Sequence, residues 1–131
     1  MSPLPKGLSS QAMGTSAEYA VISDLLRQGC EVYRPACDEV NTDLVVFKNG
    51  AWRRVQIKAV GFMKTKTSVE VRMREYKQND HIDTVAVYLW DRQIIAYYPF
   101  SGEKSICLAL KTAKNKQGEF RKWFYEYEYL V

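Results

Sequence analysis

Asn49-Gly50 stands between the runs TDLVVFK (42–48) and AWRRVQIKA (51–59). A two-residue loop of this type, flanked by β-branched and apolar residues, commits the chain to an antiparallel hairpin. The type I′ turn needs positive φ at both loop positions, which Asn and Gly tolerate best. Side chains alternate along a strand, so the return strand has two defined faces. Trp52, Arg54, Gln56 and Lys58 face one way, and Arg53, Val55, Ile57 and Ala59 the other. Gln56 and Lys58 therefore project from one face, about 7 Å apart given the rise per residue.

The remaining elements arrange themselves around this hairpin. Met13, Ala17, Ala20, Val21, Leu25 and Leu26 recur at helical spacing, so a helix is expected from a Ser9 or Ser10 cap to about Gln28, with Gly29 as its stop. Glu18 falls at the edge of that apolar stripe, where a solvated carboxylate is the ordinary reading. Further strands are expected at Cys30–Arg34, stopped by Pro35, at Ser68–Met73, at Asp83–Trp90 and at Ile94–Tyr98, with a short one at Ile106–Leu110. Phe120–Val131 fits a helix or a strand by pattern alone. Residues 1–8 hold two prolines and a glycine and read as a loose arm ahead of a single domain spanning 1–131.

Composition narrows the function. Nineteen Lys and Arg against fifteen Asp and Glu give a net charge of +4, which permits a polyanionic partner without requiring one. Cys30, Cys37 and Cys107 form no CxxC spacing and no even set, which argues against a disulfide framework and a zinc site and for reduced thiols in the cytoplasm. Nuclease families whose metal site needs several histidines are excluded, because His81 stands alone. The first residues lack the apolar stretch of a signal peptide, and no apolar run approaches the ~20 residues that span a bilayer. A soluble, cytoplasmic protein without a membrane partner is the expectation.

Cutting a phosphodiester bond calls for a cation that polarises the phosphate and lowers the pKa of water, and hard cations take oxygen ligands. A hairpin can supply them cheaply, with an Asp at the start of one strand and an oxygen ligand and a Lys two residues apart on the other. Asp43, the Asn49-Gly50 turn, Gln56 and Lys58 fit that layout. Taken singly, Asp43 is as readily a strand-start residue and Lys58 a solvated lysine.

The succession Gly14-Thr15-Ser16-Ala17-Glu18, Leu25-Leu26-Arg27-Gln28-Gly29-Cys30-Glu31-Val32, Thr42-Asp43-Leu44-Val45-Val46 and Val55-Gln56-Ile57-Lys58 resembles the PD-(D/E)XK nuclease superfamily. Within it, the chain is most similar to the homing endonucleases associated with group I introns, and next to archaeal-type Holliday junction resolvases. The resemblance implies an α/β, restriction endonuclease-like fold, with a central mixed β-sheet flanked by helices. It implies that Asp43 is the principal metal ligand, that Glu18 helps position water at the metal, that Gln56 fills the second acidic position, and that Lys58 is the catalytic lysine. The metal implied is Mg²⁺, with Mn²⁺ as a substitute. Most members carry Glu or Asp where this chain has Gln56; an amide offers a carbonyl oxygen without charge. The intron-associated branch also uses Gln there, so the departure points to that branch.

With a nuclease site in view, the basic residues outside it become candidate phosphate contacts on double-stranded or branched DNA: Lys64, Lys66, Arg72, Arg74 and Lys77, then Lys114 and Lys116. Arg72 and Arg74 alternate onto one strand face, as a β-ribbon in a major groove would require. One small module cuts one strand, so a homodimer or homotetramer is expected for double-strand cleavage.

Overall fold

The computed structural model describes residues 7–37, 42–61, 67–73, 82–111 and 121–131. Helix α1 spans Ser10–Arg27 and begins where the Ser9 hydroxyl accepts the Ala12 N–H at 3.0 Å. That bond satisfies one of the amides every helix start leaves without a partner. Gly29, at φ +83°, turns the chain out of the helix. Ala17, Val21 and Leu25 lie one turn apart and form its fully buried stripe.

Among the described residues seven strands follow: β1 (Glu31–Tyr33), β2 (Leu44–Lys48), β3 (Ala51–Val60), β4 (Ser68–Arg72), β5 (Thr84–Leu89), β6 (Ile94–Pro99) and β7 (Ser105–Ala109). Five form a mixed sheet in the order β1-β2-β3-β5-β6, in which only β3 and β5 run parallel. The hairpin closes as expected, with Lys48 opposite Ala51 and positive φ at both Asn49 and Gly50. β5 is buried at every position, because both faces of the sheet are covered there.

On one face α1 packs Val21 and Leu25 against Leu44, Val46, Val55, Ala86 and Tyr97. On the other, β4 and β7 leave the main sheet and pair with each other, driving Val69, Val71, Ile106 and Leu108 onto Val85, Val87, Leu89 and Ala96. Among the described residues, the second layer is thus a two-stranded ribbon built from the two strands expected at Ser68–Met73 and Ile106–Leu110. The alternation of Val69 and Val71 with Glu70 and Arg72 marked a strand, but it held no sign of which sheet the strand would join.

Arg54 and Asp83 clamp the start of the parallel pair. The guanidinium meets the carboxylate at 2.8 and 3.0 Å, and the Arg54 N–H donates to the same carboxylate at 2.8 Å. The Asp83 carboxyl is held below its ordinary range, first by the Arg54 hydrogen bond.

The stretch read as helix or strand is neither in full. It holds a parallel bridge from Trp123 to Ala109, a short 3₁₀ turn at Phe124–Tyr127, and a tail fastened by side chains from distant elements. The Gln28 amide accepts the Leu130 N–H at 3.0 Å and donates to Asp24 at 2.9 Å, while the Lys48 ammonium donates to the Leu130 carbonyl at 2.9 Å. Leu130 itself is buried in the helix-side core. Gln28→Ala strands the Leu130 amide and loosens the tail, so urea unfolding should show a loss of about 1–3 kcal/mol. An unchanged midpoint would mean that the tail contributes nothing to the fold.

Candidate active site

The site forms where β2 and β3 part. Leu44 is the first residue of β2 and lies opposite Val55, while β3 runs on to Val60 without a β2 partner. Asp43 adds the last rung with its own atoms. Its N–H donates to the Val55 carbonyl at 2.9 Å, and its Oδ2 accepts the Ile57 N–H at 2.8 Å. The amide that a longer β2 would have bonded is therefore satisfied by a carboxylate, which is fixed in place at the sheet edge.

Around that carboxylate lies a cavity of about 310 Å³ lined by Asp43, Gln56, Ile57 and Ala59 from the strands and by Gly14, Thr15 and Glu18 from α1, with Gln11 at its rim. Residues 14 and 18 are one helical turn apart, so the glycine clears space beside the carboxylate. A Cβ at Gly14 would meet nothing within 4 Å, which marks this as open space.

Burial raises the Asp43 pKa above its ordinary value of 3.8, partly opposed by the Ile57 amide and the positive charge of Lys58. Lys58 is half-buried, opposite Val87 in the β3–β5 register; it does not line the cavity, yet its charge acts on Asp43. Three of the four residues singled out from the sequence thus share one cavity, and the fourth acts on it electrostatically.

One residue was missed. Arg34, just past β1, donates from Nε to the Glu18 carboxylate at 3.0 Å, and its guanidinium lies over the Tyr19 ring at 5.0 Å. An arginine directly before Pro35 was the only local signal. It holds Glu18 at the edge of the site and balances its charge.

The donor set suits a hard divalent cation. Asp43 and Glu18 offer carboxylate oxygens and Gln56 an amide carbonyl. Among the described residues no three His, Cys, Asp or Glu side chains cluster as ligands, so Gln56, water and a substrate phosphate would complete the shell. That is the usual habit of Mg²⁺, which keeps few protein ligands. Of the residues expected to contact DNA, Arg72 lies exposed at the end of β4. Lys64, Lys66, Arg74, Lys77, Lys114 and Lys116 lie outside the described residues, as does His81.

Comparison with known proteins adds four findings. Residues 8–130 match the family model for PD-(D/E)XK endonucleases. Protein 5.3 of Escherichia phage T7 is 28% identical over 102 residues, covering 72% of this chain and 86% of that protein. The fold is similar to that of a bacterial homing endonuclease, I-Ssp6803I, with a TM-score of 0.66 and 24% identity, over 91% of this chain and 86% of the other. It is also similar to Hjc, a Holliday junction resolvase of Archaeoglobus fulgidus, with a TM-score of 0.50 and 17% identity, over 74% of this chain and 84% of the other.

The raised Asp43 pKa has a consequence for stability. The folded state binds the Asp43 proton more tightly than the unfolded chain, so this group's contribution falls as pH rises from about 3.8 through the raised folded value. At neutral pH the buried charge is a cost. Asp43→Asn keeps an oxygen for the Ile57 N–H and removes the charge; it should melt at a higher temperature than wild type at pH 7, with the difference shrinking toward pH 3. A variant that melts lower at both pH values would show that the carboxylate stabilises the fold.

Proposed function

We propose, for a chain that belongs to the PD-(D/E)XK endonuclease family, that the Asp43 site hydrolyses DNA phosphodiester bonds with the help of a divalent metal ion, in site-specific double-strand cleavage of the homing type. The observation that carries this reading is the Asp43 carboxylate locked onto the Ile57 amide, in one cavity with Glu18 and Gln56. Asp43 and Gln56 would hold the metal, with Glu18 beside them. A bound Mg²⁺, or Mn²⁺ in its place, would polarise the phosphate and lower the pKa of an attacking water. Lys58 supplies a positive charge for the charge that develops on the phosphate oxygens. Glu18, steadied by Arg34, orients water at the open side of the cavity.

Gln56 favours the homing branch. An amide in the second acidic position is the feature this chain shares with the intron-associated enzymes it resembles. Cutting both strands of a duplex takes two such sites, so the working form is proposed to be a homodimer or homotetramer. Tyr125 and Tyr129, both exposed, offer apolar area for such a contact.

Cleavage of a linear duplex library and of a four-way junction, with and without Mg²⁺, tests the reading directly. Wild type should cut a linear site in a metal-dependent way. Asp43→Asn should abolish cutting, and Lys58→Ala should lower the rate about 10²–10³-fold, as loss of one electrostatic group typically does. Cutting confined to the junction would assign the protein to resolvase chemistry instead. Absence of metal-dependent cutting on every substrate would refute the enzyme reading.

A further inference from the structure

The outer face of the β4–β7 ribbon is neither core nor part of the catalytic cavity. Its inward residues, Val69, Val71, Ile106 and Leu108, are all buried. Its outward residues form cross-strand pairs: Glu70 opposite Cys107 and Arg72 opposite Ser105, all four exposed. Lys104 precedes β7, and a groove of about 340 Å³ is lined by Glu70, Arg72, Lys104 and Ser105. None of the three ion pairs among the described residues involves Glu70, Arg72 or Lys104. All three side chains belong to exposed residues.

We infer that this ribbon is the sequence-reading element, which lies in the major groove of duplex DNA with Arg72 set on a guanine and Glu70 on a cytosine two base-pair steps away. The inference rests on the DNA endonuclease reading and goes beyond it by assigning specificity to residues outside the catalytic site. A B-form major groove admits a two-stranded β-ribbon. Residues i and i+2 on an antiparallel strand are about 6.8 Å apart. Two base-pair rises of about 3.4 Å span the same length. Arg72 and Glu70 thus come into register with alternate base pairs of one groove. Arg is matched to the paired acceptors of guanine, and a carboxylate to the amino group of cytosine.

Glu70 is what distinguishes base reading from plain phosphate binding. Exposed Lys104 precedes β7 and exposed Lys111 lies just past its end, so positive charge stands at both ends of this strand. A carboxylate on the ribbon itself would be repelled by a phosphate backbone. It is compatible with DNA only where it meets a donor, and in the major groove donors are the amino groups of cytosine and adenine. Lys104, beside the ribbon and in none of the ion pairs among the described residues, is assigned to phosphate.

Binding selection from a random duplex library separates these roles without any need for cleavage. The full-length Asp43→Asn protein is used, so that bound DNA stays whole. Arg72→Ala should flatten one guanine position by about tenfold and leave the others unchanged. Glu70→Gln should lose the cytosine preference two steps away, because an amide pairs best with adenine. Lys104→Ala should keep the preference and lower the salt slope of binding by about one. The three side chains are exposed, so circular dichroism should match the parent, and Arg72→Lys, which keeps the charge, controls for simple charge loss. Sequence preferences unchanged by both Arg72→Ala and Glu70→Gln would overturn the assignment. So would tight binding with no sequence preference at all. Failure of the parent to bind any DNA would count against the endonuclease reading itself.

Discussion

The hydrogen bond from the Ile57 N–H to the Asp43 carboxylate joins the fold to the site. β2 begins at Leu44, and β3 runs to Val60. The strands therefore differ in reach, and β3 presents amides on the side where β2 has ended. A buried amide without a partner costs about as much as a lost hydrogen bond, so something must accept from Ile57. Asp43 does so at the first position beyond the strand. Its carboxylate is then oriented by backbone geometry instead of by rotamer preference alone. A residue held this way can meet the close positional tolerance that a catalytic ligand needs.

The same arrangement fixes the other members. β3 lies between β2, which is antiparallel to it, and β5, which is parallel. β5, buried at every position, anchors Gln56 and Lys58 through the register with Val85 and Val87. α1 crosses the helix-side face and is seated by Val21 and Leu25, and this packing brings Gly14 and Glu18 to the opening. The candidates thus hang from three places, α1, the start of β2 and β3, and the packing of those elements is what brings them together.

Local chemistry explains what was legible in the sequence. The Asn49-Gly50 turn, the Ser9 cap and the Gly29 stop all act within a few residues, and each appears in the structure where its signal stood. The alternation along β3 separated Gln56 from Val55 without knowledge of either neighbour. The C-terminal tail was opaque for the opposite reason: Gln28 and Lys48 hold it across about a hundred and about eighty residues of sequence, with no periodic pattern. Arg34 was opaque too, because its ion pair with Glu18 links a strand end to a helix face, and only the folded chain makes them neighbours. The β4–β7 ribbon lay between these cases. Its strands were visible, but their mutual pairing joins segments more than thirty residues apart.

Charge balance around the cavity gives Gln56 a physical meaning beyond family likeness. Asp43 and Glu18 carry two negative charges, and Lys58 and Arg34 set two positive charges against them. A Glu at position 56 would tip this balance toward a preformed cation site. The amide keeps the protein side near neutrality and contributes oxygen without charge. A dication entering a neutral site gains little from the protein alone and much from a phosphodiester brought alongside. On the proposed function, metal and DNA would favour each other's binding, since each would supply charge that the other lacks. The Arg34–Glu18 pair works in the same direction, because it offsets one of the two carboxylates.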